Sequence, residues 1–289
     1  MGNNRLVAMP MLLAAMTIVA GCQATPPAPA TQPAAPTTRP VVMDNVPRPE
    51  PRGPVVHLDV YQMAVPRGAV SRSGEFWKRV DEQQIDPPTY DLLLKNGVRV
   101  GIAPNRDWDY FRDVLERNNA RSSWGSVMAG GSGTMDLPMR KNIPSQDIFY
   151  VGDQVPYPVG RTYPQCENLF GLSFWPDARQ EGALHLTVTP VVRVTRSHLE
   201  YHQGEEQEFV YVRPEFLYEL NLRTVIPPGW FLVIGPSPES RWPTSLGNAF
   251  LTLDGDADEK EQVLVLVPHT VRPGDPANAT PPPAGARGK

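Results

Sequence analysis

The sequence predicts an α+β protein: a small N-terminal α/β module over residues 55–122, then a β-rich domain over residues 123–272, flanked by Pro-rich segments expected to be disordered. Three observations lead there. The chain holds 34 prolines in 289 residues, against about 14 at roughly 5% usage, and they crowd the two ends. Helical spacing of apolar residues is confined to the stretch before Ser122. After it, apolar residues alternate with polar ones, as on strands with one buried face.

Residues 1–22, MGNNRLVAMPMLLAAMTIVAGC, read as a secretory signal. Arg5 supplies the positive start, residues 6–20 the apolar run, and Ala20 and Gly21 the small residues before Cys22. The apolar run is too short for a membrane span, which takes about 18 residues or more, so no integral helical membrane protein is expected. Residues 23–54 carry ten prolines and almost no large apolar side chain, the composition of an extended tether. Its 32 residues would reach on the order of 100 Å at about 3.1 Å each. Residues 273–289 form a second tail of the same kind.

The foldable part begins with a half-buried strand at 55–65, with Val56, Leu58 and Val60 on one face and His57, Asp59 and Tyr61 on the other. Residues 74–83 suggest a short helix. Pro87 and Pro88 open another, and Asn96-Gly97 stops it. A short strand follows at 98–102. Asn105 or Asp107 is placed to cap a helix whose Trp108, Phe111 and Leu115 share a face. In the second part, Leu184, Leu186, Val188, Val192 and Val194 line a long strand that turns at 203–206 and returns through 209–212. Tyr218, Leu220, Leu222 and Thr224 alternate again. Pro227-Pro228-Gly229 turns into a strand at 230–234, and residues 263–267 read as a strand buried on both faces.

Several function classes are disfavoured by composition. Net charge is −4 with no basic run, so nucleic acid is not an expected partner. Two cysteines, Cys22 and Cys166, exclude a disulfide-stapled fold, and Cys166 is expected to be a small buried side chain. His198 and His202, with Glu200 between them, have a spacing that on a strand could present metal ligands. H-E-x-x-H is absent and the pair adjoins a turn, so a solvated strand face is the expected role. Asp254, Asp256 and Asp258 mimic the start of a calcium loop, but Glu259 and Val265 stand where its Gly and Glu are required. The Gly-rich run at 130–134 lacks the Lys of a phosphate loop and the last Gly of a nucleophile elbow. No cofactor and no catalytic set is expected. The remaining candidates for binding are Trp124, Trp175, Trp230 and Trp242, all near Gly or Pro turns. Loop aromatics can anchor a ligand, and they can equally pack beneath their loops.

Two resemblances complete the reading. Val19-Ala20-Gly21-Cys22 resembles the lipobox of bacterial lipoproteins, which implies cleavage before Cys22, lipidation of its thiol and attachment to a membrane. Gln23 after the cysteine is similar to an outer-membrane address. With VPRGAVS at 65–71 and NGVRVG at 96–101, the chain also resembles the Pro-tethered lipoproteins of planctomycete-like bacteria. Within 123–272, the segments 148–160, 171–192, 222–236 and 245–272 are similar, in order, to four pieces of the secretin C-terminal domain. That likeness implies a secretin-like β architecture. At most one N-terminal module precedes it, and Glu205, Glu206 and Glu208 crowd the main hairpin turn. The expectation is a non-enzymatic, lipid-anchored protein of the cell envelope, facing the periplasm. A structural or interaction role is expected, with a secretion or pilus-type assembly as one setting and an envelope protein or a second copy as partner. A multimeric outer-membrane pore and a periplasmic ligand- or glycan-binding module are the alternatives.

Overall fold

A computed structural model describes residues 55–128, 131–152, 157–202, 205–253 and 259–271. Cys22, the two Pro-rich segments, Gly130 and the aspartates at 254, 256 and 258 lie outside the described residues, as does the turn at 203–204.

The protein is mostly antiparallel β-sheet. Strand β1 (Val55–Pro66) is followed by helix α1 (Gly74–Trp77), a 3-10 turn at Glu82–Gln84, helix α2 (Pro87–Lys95), strand β2 (Val98–Pro104) and helix α3 (Trp108–Arg117). Then come β3 (Arg121–Met128), β4 (Gly133–Tyr150), β5 (Val159–Pro176), β6 (Leu184–His202), β7 (Glu205–Phe216), β8 (Leu222–Ile226) and β9 (Trp230–Pro236). Helix α4 (Leu246–Leu251), β10 (Thr252–Leu253) and β11 (Lys260–Val271) complete the order.

The strands make two sheets. The first runs β2-β9-β11-β1-β3, with β10 beside β11; the second runs β4-β5-β6-β7, with β8 also on β6. Where the sequence suggested a boundary near 122, the hydrogen bonding runs across it. β1 pairs with β11 from Val55↔Val271 to Pro66↔Lys260, and β2 pairs with β9. The expected order of strands and helices in 55–120 is present, but its strands close no sheet of their own. They complete one with strands from the far end of the chain.

Alternation along each strand of the first sheet sorts residues between two cores. Val56, Leu58, Val60, Val100, Ile102, Ile234, Leu264 and Leu266 face the second sheet, meeting Phe170, Leu172, Phe174, Leu186 and Val188. Met63, Val65, Phe231, Val233, Val263 and Val265 face α1 and α3. Strand β11 supplies both cores from adjacent residues, so its continuous apolar run is the mark of burial on both faces. The helical side is aromatic: Phe111 lies edge-on to Phe231 at 5.0 Å and to Phe76 at 5.2 Å. The layers are therefore helix, sheet and sheet.

Local chemistry sets the element ends. Ser73 Oγ accepts the Phe76 amide, Asp86 accepts the Thr89 amide ahead of Pro87 and Pro88, and Ser245 accepts the Asn248 amide. The helix expected over 74–83 ends after Trp77, because the chain next pairs with β2: Asp81 and Ile102 exchange backbone hydrogen bonds of 2.7 and 3.1 Å. That bridge covers part of one edge of the first sheet. Helix α4 was not expected from sequence, and Tyr218–Leu220 is a 3-10 turn rather than the start of a strand.

The two short motifs noted in the sequence are clasps. In VPRGAVS, the amides of Gly68, Val70 and Ser71 donate to the Glu261 carboxylate at 2.7, 3.1 and 3.0 Å, and the Ser71 hydroxyl donates as well. Glu261 is 2% exposed, so this turn of amides is what satisfies a buried charge. In NGVRVG, Asn96 exchanges two 2.8 Å hydrogen bonds with the backbone of Val151, and Gly97 takes φ +86°.

Candidate functional site

A groove of about 620 Å³ lies on the outer face of the second sheet. Its size falls in the range of about 300–1,000 Å³ typical of small-molecule sites. It is walled by Ser173 and Trp175 of β5, His185 and Thr187 of β6, Tyr218 of the 3-10 turn and Arg223 of β8. Strand alternation explains the placement. Phe174, Leu186 and Leu222 point into the core, so their neighbours point outward.

Trp175 and His185 are direct cross-strand partners. Their rings stack with centroids 5.2 Å apart and planes within 4°. Nε2 of His185 lies 2.7 Å from Oδ2 of Asp177. The other oxygen, Oδ1 of Asp177, accepts the amides of Arg179 and Gln180 at 2.6 and 2.9 Å. Those two amides, and then His185, hold the Asp177 carboxyl below the ordinary aspartate range. A ring stack is thereby fixed to a turn through a carboxylate that is itself held by backbone.

At the other end of the groove, Tyr218 stacks on Phe216 with centroids 5.3 Å apart and planes within 12°. The turn carrying Tyr218 is tied to β6 where the Leu217 amide donates to Pro190 O at 2.9 Å. Thr189 and Asn221 also line the groove, and Oδ1 of Asn221 is shielded from solvent with no hydrogen-bond donor in reach. Arg223 is exposed and has no carboxylate partner among the described residues. A nearby cation on the same sheet is committed: Arg193 pairs with Asp136 of β4 and with Glu167 of β5.

The tryptophans singled out in the sequence separate. Trp175 is 40% exposed and belongs to the groove. Trp230 is partly buried against the core at the start of β9. Trp124 is 58% exposed on β3 beside His57, and Trp242 is 59% exposed under the Arg241 guanidinium. The structure does not bring these three to the Trp175 site. His198 and His202 sit on β6, in register with Phe209 and Glu205 of β7; their side chains lie outside the described residues. Among the described residues no group of three His, Cys, Asp or Glu is placed to hold a metal ion, and no helix is long and apolar enough to cross a membrane. Cys166 is buried and unpaired, as expected.

His185, Asp177, Tyr218, Asn221 and Arg223 were not candidates from sequence. The alternation of β6 marked His185 as facing away from the core. Nothing local could show that Asp177 and Tyr218 would meet that face. No family model, curated protein or solved structure matches the chain.

Proposed function

We propose that the protein is a non-enzymatic, lipid-anchored component of the cell envelope with a structural or interaction role. Cys22 carries the anchor, and a Pro-rich tether holds the folded part in the periplasm. The observation that supports the interaction role is the open second sheet. Among the described residues its outer strands, β4 of 18 residues and β7 of 12 residues, each pair with a strand of that sheet on one side only. Among the described residues β4 makes one isolated bridge besides β5, Phe149 to Ser245; its Pro138 and Met139 carbonyls accept the Gln62 and Gln262 amides, and Pro138 and Pro144 offer no N–H, so β7 is the freer edge. An unpaired edge is a template for another strand, so addition of a partner strand or of a second copy along β7 is the mode of contact.

The test is the mass of the full lipidated chain, extracted in mild detergent, by light scattering with electron microscopy of the peak. The expected result is a stable multimer or a complex with an envelope protein. A lone chain, at the 32.0 kDa of the full sequence less the signal removed before Cys22, with nothing co-purifying, overturns the reading. Rings that conduct in bilayers would replace it with the pore.

A further inference from the structure

We propose that the groove between Trp175 and Tyr218 binds an acidic oligosaccharide. This rests on reading the protein as an interaction module and names the ligand class of the site; it does not depend on the open sheet edges.

Two flat ring stacks, Trp175 on His185 and Tyr218 on Phe216, stand on one face of the second sheet, bordering a groove whose mainly apolar wall carries hydroxyl, amide and guanidinium groups. Flat aromatic faces bordered by hydrogen-bonding groups suit a pyranose, which has an apolar C–H face and a rim of hydroxyls. Ser173, Thr187, Thr189 and Asn221 provide that rim with partners. From His185 to Thr189 the groove follows four residues of β6, about 13 Å at roughly 3.3 Å per residue, which suits a short chain better than a single sugar. The acidic character comes from Arg223. Its planar guanidinium, without a carboxylate partner among the described residues, matches a uronate carboxylate with two parallel hydrogen bonds. The platform is preorganised, since Asp177 locks His185 and the backbone locks Asp177, so little ordering opposes binding.

The experiment is calorimetric titration of the full chain in detergent with three probes: trigalacturonate, a hyaluronan tetrasaccharide and neutral cellotriose. Saturable binding of at least one acidic probe is expected, weakening with salt, with cellotriose bound at least about tenfold less well. Arg223→Gln should weaken the acidic probe about tenfold without moving cellotriose. Trp175→Ala should abolish binding, whereas Trp124→Ala should leave it unchanged. Should Trp175→Ala fail to fold, Tyr218→Ala at a 65% exposed position carries the same test. Absence of binding by both acidic probes, equal binding of cellotriose, or affinity indifferent to Arg223 and Tyr218 would overturn the proposal. So would binding of a Pro-rich peptide of residues 273–289 in place of every saccharide. A chain that still forms its envelope complex while binding no sugar loses this inference alone.

Discussion

Asp177 holds His185 at 2.7 Å while accepting two backbone amides of its own turn, so one carboxylate joins the β5–β6 connection to the Trp175 stack. Because its pKa is lowered in the folded protein, it contributes stability that is complete above the unfolded aspartate value, about 3.9. That contribution is lost as pH falls through the lower folded value. Asp177→Ala is therefore expected to be less stable than the parent at pH 7, with the gap narrowing below about pH 4. Urea unfolding of both proteins across that range checks it, and a gap independent of pH would remove the carboxylate from the argument.

Gly247 meets Gly97 backbone to backbone. A methyl group on Gly247 would lie 2.0 Å from Gly97 O, and the Gly247 amide donates to Asn96 O at 2.8 Å. Backbone cannot rotate aside as a side chain can. Gly247→Ala should cost about 3 kcal/mol or more, because α4 must move off the end of α2. A urea midpoint unchanged by the substitution would show that the two helices are not held together here.

Glu261 is buried among the amides of Gly68, Val70 and Ser71. Glu261→Gln puts an NH2 group where donors already point. The loss should be on the order of 3 kcal/mol, with faster hydrogen exchange at residues 68–71 as the local sign. Exchange at those amides that matched the parent protein would refute the clasp.

Cys166 is 4% exposed, and burial raises its thiol pKa, more than its contact with Gln146 lowers it. Less thiolate and less access both slow its chemistry. In the lipidated protein a disulfide reagent should titrate no thiol rapidly until denaturant is added, and then one per chain. A fast-reacting thiol in the native lipidated chain would contradict this, or would show that Cys22 is not modified.

Much of the element order was readable because its causes are local. Asp86-Pro87-Pro88 and Asn96-Gly97 bracket α2 by capping and backbone preference alone. The alternation of β1 and the apolar run of β11 follow from burial on one face and on two. The missed elements lack such signals. β3 is an edge strand, exposed from Arg121 to Trp124 and without a clear apolar face in its sequence, and β4 is interrupted by Pro138, Pro144 and register shifts near Arg140 and Ile143. Helix α4 is buried all round, so it shows no amphipathic period. At the site, Trp175 was a candidate as a tryptophan next to Pro176, while nothing in the sequence singled out Asp177.

The sequence by itself determined the order of most strands and helices, the burial of Cys166 and the outward direction of His185. Each depends on periods, caps and composition within a few neighbouring residues. Only the tertiary structure decided that β1 lies against β11 some 200 residues away, so that no sheet closes within 55–122. It alone brought Trp175, His185 and Tyr218 to one groove. Strand pairing is set by which apolar faces can be buried together, and that choice belongs to the whole chain rather than to any segment of it.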